Sequence, residues 1–257
     1  MEIAENQEEV NRVFSGPGVS EIINFAAMKF GVVVFPGSNC DQDLIQVLTK
    51  FTGVVPVSLW HKSTDLQGCT HVFLPGGFSY GDYLRSGAIA KLSPVMQAIK
   101  QHADNGGFVM GICNGFQILC ESGLLPGALL RNTNMKFVCK NVYLKPSNLN
   151  TDLTVDCNED SVLTIPIAHG EGRFYADEQT LNEIENNGQV VFRYCDSSGN
   201  TTPDSNPNGS LNNIAGICNS GFNVYGMMPH PERCASEFLF NSDGGLLFSS
   251  MLKKQTV

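Results

Sequence analysis

The chain has 257 residues, 42% of them hydrophobic and 16% charged, with a formal net charge of -9. That length and composition suit one large α/β core, and the acidic balance argues against a nucleic-acid partner, which calls for a basic face. No apolar run approaches the ~20 residues of a membrane span, and the first residues lack the basic start and apolar stretch of a secretory signal, so the expected location is the cytoplasm, with no membrane partner.

Residues 1–27 differ from the rest: Glu2, Glu5, Glu8, Glu9 and Glu21 face only Arg12, and Ser15-Gly-Pro-Gly18 breaks the stretch. They read as an extension of unassigned role, and residues 28–257 as one domain. Phe30 to Phe35 is a continuous apolar run with β-branched residues, the pattern of a strand buried on both faces. Asp41 to Phe51 predicts a helix, Val54 to Trp60 a second strand and His71 to Leu74 a third, ending in Pro75-Gly76-Gly77. Ser93-Pro94 predicts a helix start with Ser93 as N-cap, and Gly106-Gly107 its stop. Phe108 to Ile112 is a further strand, and the alternation implies a parallel sheet.

After Pro126 the pattern turns to antiparallel strands at Phe137 to Leu144, Val190 to Tyr194 and Ile214 to Cys218. A polar loop spans Ser197 to Ser210, a turn at Asn219-Ser-Gly221 leads into Val224 to Met228, and a helix covers Ser242 to Lys254. The expected fold is therefore α/β: a mostly parallel central sheet flanked by helices, with an antiparallel extension.

The chemistry centres on Gly111-Ile-Cys113-Asn-Gly115. Gly-x-Cys-x-Gly between a strand and a helix is the sulfur analogue of the nucleophile elbow. Placement at a helix N-terminus favours the thiolate, the attacking species. Far downstream, Met228-Pro-His230-Pro-Glu232 offers a base and an orienting carboxylate, completing a Cys-His-Glu triad. An oxyanion hole needs amide donors. Gly76 and Gly77 end a neighbouring strand and are either such donors or a plain tight turn; the second donor would be the amide of Asn114.

His169-Gly-Glu-Gly-Arg173 lines a polar site or ends a strand with a salt bridge, and the two readings are equally open. Of nine cysteines, no two have CxxC spacing; Cys120, Cys139, Cys157, Cys195 and Cys218 read as buried small hydrophobes in a reducing compartment. His61, His71 and His102 read as structural. No P-loop, dinucleotide fingerprint or metal cluster is visible, so no metal or cofactor is expected in this chain.

The motifs around Cys113, His230 and Glu232 resemble those of class I (triad) glutamine amidotransferases. Phe35-Pro-Gly-Ser-Asn-Cys-Asp41, Phe73 to Asp82, Ile167 to Arg173, Asn206 to Ser210 and Gly226 to Arg233 are similar, within that family, to the glutaminase subunits of phosphoribosylformylglycinamidine synthases. The resemblance runs from Met28 almost to the C-terminus and implies a flavodoxin-like amidotransferase fold. It implies hydrolysis of L-glutamine through a thioester on Cys113, with His230 as general base and acid, Glu232 orienting it, Gly76, Gly77 and Asn114 at the oxyanion, and Gln117 contacting glutamine. It further implies that the ammonia passes to a large synthetase subunit, which binds ATP and Mg, in a complex with a small third subunit. Two other readings stand beside it: a thiol hydrolase of the related Cys-elbow group, and a non-catalytic binding subunit. The intact Cys113, His230 and Glu232 disfavour both.

Overall fold

A computed structural model describes residues 28–236, 238–239 and 241–253; the extension expected at residues 1–27 lies outside them. The first half alternates as expected: β1 (Phe30–Val34), α1 (Asp41–Thr52), β2 (Val57–Trp60), β3 (His71–Leu74), α2 (Pro94–Asp104), β4 (Phe108–Ile112) and α3 (Asn114–Glu121). The second half holds β5 (Ala128–Leu130), β6 (Val138–Pro146), β7 (Leu163–His169), β8 (Arg173–Tyr175), α4 (Glu178–Asn186), β9 (Val190–Cys195), β10 (Ile214–Cys218), β11 (Val224–Met227) and α5 (Gly245–Lys253).

Nine strands form one sheet in the order β2-β1-β3-β4-β11-β10-β9-β6-β7, and β5 pairs with β8 separately. The strands from β2 to β11 run parallel, and those from β10 to β7 alternate in direction. The interior parallel strands bury both faces: Val32, Val33, Phe73, Leu74, Val109 and Ile112 are fully enclosed, whereas β2 is an edge strand with Trp60 exposed. β7 instead alternates buried and half-buried residues, as a one-faced strand does.

Several sequence expectations need correction. β11 is antiparallel to β10 but parallel to β4, so it belongs to the parallel half. All four of its residues are buried, the pattern of an interior parallel strand. The second strand starts at Val57; Val54 and Val55 are exposed, and Pro56 lacks the amide a ladder needs. Ser93 stands at the N-cap of α2, but its side chain caps nothing and its Oγ pairs with Tyr80 Oη (2.9 Å). The last helix begins at Gly245 rather than Ser242. Cys195 and Cys218 are buried as expected, whereas Cys120 and Cys157 are half-buried and Cys139 is exposed.

The register sets up the site. Leu74 of β3 lies opposite Gly111 of β4, and Ile112 opposite Met227 of β11. Three adjacent parallel strands thus end together, and the loops that follow carry Gly76, Cys113 and His230. In open α/β sheets ligands bind at such carboxyl ends.

Candidate active site

β4 turns into α3 with no intervening residue but Cys113, whose backbone takes φ 51° and ψ -105°. A side-chain-bearing residue held there costs on the order of 1–3 kcal/mol. The cost is met because α3 packs directly on the strand ends: a Cβ at Gly115 would overlap the Leu74 carbonyl. The Cys113 amide donates to Met227 O (2.8 Å), locking the elbow to β11. Cys113 is 6% exposed, with its Sγ 3.8 Å from Ala168 O.

His230 follows β11 in a loop whose amide donates to Pro166 O (2.8 Å). Its Nδ1 and Glu232 Oε1 are 2.6 Å apart, and both side chains are almost wholly buried. The pairing directs Nδ1–H to the carboxylate and leaves Nε2 unengaged. Burial opposes the imidazolium, but the Glu232 carboxylate, aided by the contacts of Cys113 and Cys40, outweighs it and holds His230 well above the ordinary histidine range. Nε2 is buried with no partner in hydrogen-bonding geometry, and so is Glu232 Oε2.

Gly76 leaves the imidazole room. A Cβ there would lie 2.7 Å from His230 Cε1, 3.2 Å from Cys40 Sγ and 3.4 Å from Cys113 Cβ. Gly77 takes φ +132°, a conformation that side chains avoid, against the loop at Ser38-Asn39. The Asn114 amide opens α3 and has no intrahelical acceptor. The Asn114 side chain is a brace: its Oδ1 accepts from the Ser79 amide (3.1 Å) and from the Ser79 hydroxyl, and its Nδ2 donates to Gln117 Oε1 (2.8 Å). Gln117 Nε2 in turn donates to Glu171 O (2.6 Å). Gln117 therefore edges the site while its amide ties the elbow to the opposite wall.

A cleft of about 300 Å³ opens beside Cys113, lined among others by Asp82, Gln117, Arg131, Lys136, His169 and Glu171. Two acids and two bases thus face one small volume. Burial chiefly raises the Asp82 carboxyl, and Glu171 adds to the rise. His169 is pushed down to about 4 by burial and by the nearby His230, so it is neutral at pH 7. Its Nδ1 pairs with Asn132 Oδ1 (3.1 Å), while its Nε2 is buried without a partner. The stretch His169 to Glu171 lines the cleft, and Glu171 meets the Ser86 amide (3.3 Å) rather than a cation. Asn208 anchors this wall, donating to Gly172 O (2.8 Å) and accepting from the Thr133 amide (3.1 Å). Another depression, about 350 Å³ against α5 near Phe51 and Leu246, contains none of these groups.

Sequence reasoning missed Cys40, Asp82, Arg131, Lys136 and the exposed rim of Phe78, Met135 and Phe137. Cys40 and Asp82 stood inside motifs quoted for the resemblance, but nothing local marked their side chains as facing the site. His61, His71 and His102 are structural: they meet Tyr80 Oη (2.6 Å), Thr70 Oγ1 (2.8 Å) and Thr70 O (3.1 Å).

Comparison with known proteins agrees with this geometry. Residues 27–244 match the family described as the CobB/CobQ-like glutamine amidotransferase domain. The chain is 54% identical over 229 residues to a phosphoribosylformylglycinamidine synthase subunit PurQ of Chlorobium luteolum, covering 89% of this chain and 99% of that protein. It is 57% identical over 227 residues to the PurQ subunit of Trichormus variabilis, covering 88% and 98%. A chain of the PurLQS structure from Thermotoga maritima superposes with a TM-score of 0.78 at 41% identity, covering 89% of this chain and 99% of that one.

Proposed function

The chain belongs to the CobB/CobQ-like glutamine amidotransferase family, and from that membership we propose that it is the glutaminase subunit of a phosphoribosylformylglycinamidine synthase in purine biosynthesis. It hydrolyses L-glutamine to glutamate and ammonia. A large synthetase subunit, carrying ATP and Mg, uses the ammonia to convert formylglycinamide ribotide to formylglycinamidine ribotide, and a small third subunit completes the complex. We place the extension at residues 1–27 outside the amidotransferase domain of residues 28–257, and the complex in the cytoplasm, where nine free thiols are at home. No helix among the described residues is long and apolar enough to cross a membrane.

The observation that carries this reading is the meeting of Cys113, His230 and Glu232 beside a cleft of mixed charge. Glutamine brings an α-carboxylate and an α-ammonium. Arg131 and Lys136 suit the first, and Asp82 and Glu171 the second. The site then works as follows. His230 takes the Cys113 proton, and the sulfur attacks the side-chain carboxamide carbon. The amides at Gly77 and Asn114 suit the developing oxyanion, with Gly76 keeping the approach open. His230 returns the proton to the departing ammonia, leaving a γ-glutamyl thioester that water hydrolyses to glutamate. Glu232 holds the imidazole tautomer throughout. Ammonia protonated in bulk water is no nucleophile, so direct transfer to the synthetase is part of the reading.

The test is reconstitution with the synthetase subunits. Glutamine-dependent formation of the amidine product, with glutamate released in equal amount, is expected. Amination that runs on ammonia but not on glutamine would contradict the proposal.

A further inference from the structure

Cys40 precedes α1 and has no part in the reaction just described. Its thiol is buried, 2% exposed, and engaged from two sides. Arg233 Nη2 donates to Cys40 Sγ (3.0 Å), and the thiol meets Asn39 Oδ1 (3.4 Å). Arg233 Nε donates to Asp43 Oδ2 (3.2 Å) in the first turn of α1. The loops after β1 and β3 bring the sulfur to the triad. The Cys40 amide donates to Gly76 O (3.4 Å), and a Cβ at Gly76 would lie 3.2 Å from Cys40 Sγ and 2.7 Å from His230 Cε1.

Two observations give this contact a purpose. Arg233 directly follows the triad acid, and the charges of the two side chains act on each other. Yet Glu232 Oε2 is buried with no hydrogen-bond partner. A guanidinium beside a buried carboxylate ordinarily takes both oxygens; here it is turned to Cys40 and Asp43 instead. Independently, Cys40 Sγ lies within 4.8 Å of a ring nitrogen of His230 and a carboxylate oxygen of Glu232. The sulfur that holds the cation is thus itself a close neighbour of the pair.

We propose that Cys40 and Asp43 are positioning residues for the triad: they hold the Arg233 guanidinium off Glu232, so that the carboxylate serves His230 alone. Burial by itself would push His230 down, and the Glu232 charge is what chiefly holds it up. A guanidinium seated on Oε2 would share that charge and draw the carboxylate from Nδ1, leaving His230 a weaker base for the Cys113 proton. The other titratable groups around the ring leave this balance to Glu232. Cys113 stands at the elbow, and His169 at the end of β7 is neutral. Cys234, its Sγ 3.7 Å from His230 O, is pushed up to about 12, and Asp243 is spent on the Thr164 amide (2.7 Å). The catalytic half of the inference rests on the proposed glutaminase reaction; the restraint on Arg233 does not.

The experiment follows the His230 ring by NMR in the full chain with labelled histidine, across a pH titration; with five histidines, single substitutions assign the signals. Cys40→Ala should lower the His230 midpoint by about one pH unit or more. Cys40→Ser, whose hydroxyl still accepts from Nη2, should lose less than half of that. Asp43→Asn should move the midpoint the same way and stands in if the Cys40→Ala chain does not fold. In an Arg233→Gln background the Cys40 change should have no effect, because the group it releases is gone. In the reconstituted complex, Cys40→Ala should lower kcat at least about tenfold with KM nearly held. An unmoved midpoint in both Cys40→Ala and Asp43→Asn, or a shift that persists without Arg233, overturns the restraint. A shifted midpoint with unchanged kcat in a working glutaminase overturns the catalytic half. A shifted midpoint in a chain that never hydrolyses glutamine supports the restraint and places the failure in the proposed function.

Discussion

The two walls of the cleft are built in opposite ways. One comes from the parallel half: β3, β4 and β11 end in register and present Gly76, Cys113 and His230 from strands buried on both faces. The other comes from the end of β7 and the loops around it, where Arg131, Lys136, His169 and Glu171 line the cleft beside braces such as Asn132 Nδ2 to His169 O (2.9 Å). The first wall is rigid because its backbone has no slack. The second is polar and can be varied without disturbing the sheet. The candidate nucleophile and base sit on the wall that the sheet itself builds, and the groups that suit a substrate's charges sit on the wall of braced loops.

The largest effect expected on this contrast is from Cys113→Ala. Glutamine-dependent amination should fall by at least about 10^4-fold, while ammonia-dependent synthesis by the complex and the melting temperature hold. A mutant that keeps glutaminase activity would mean that the rigid wall does not carry the nucleophile. Glu232→Gln should cost about ten- to a hundredfold less in kcat, because orientation is a smaller effect than the nucleophile; equal losses would remove that ranking. The same variant has a pH signature. The folded imidazolium is held above its unfolded value, so the His230–Glu232 pair stabilises the native state fully below about pH 6.5. That contribution fades as pH rises through the raised value. Glu232→Gln should flatten this alkaline slope in denaturant titrations, and an unchanged slope would contradict the pairing.

Paired glycine substitutions compare the walls directly. Gly115→Ala drives a methyl into the Leu74 carbonyl and should cost about 3 kcal/mol, read as a melting temperature lower by about 6–10 °C. A Cβ at Gly170, on the loop wall, meets only Phe137 Cδ2 at 3.8 Å, so Gly170→Ala should shift the melting temperature by no more than about 2 °C. Similar losses at both positions would end the distinction. The smallest effect is acid sensitivity shared by both halves. Burial pushes His71 and His169 down to about 4. The unfolded chain therefore binds protons first, and stability drains as pH falls from about 6.5 towards 4. His71→Phe, packed between Phe30 and Phe108, should reduce the slope of stability against pH in that window.

The rigid wall was also the legible one. Gly-x-Cys-x-Gly exists because helix and strand leave no room for side chains at those positions, so the geometry writes itself into adjacent residues. His230 and Glu232 declared themselves by a two-residue spacing that local backbone can satisfy. Cys40 gave no such signal: it reaches the site only because the loops after β1 and β3 pair, a contact between distant segments. Arg131 and Lys136 were hidden for the same reason. The turn before β11 was legible as a hairpin with β10, but nothing local says that its other edge lies parallel against β4.

The most direct measurement is intact-mass analysis after treatment with a glutamine-mimicking diazoketone or chloroketone, followed by peptide mapping, on the chain alone and with its synthetase partner. A single adduct on Cys113, prevented by excess glutamine, is the predicted result. An adduct elsewhere, or none on Cys113 even with the partner present, would contradict the assignment of this elbow as the glutaminase nucleophile.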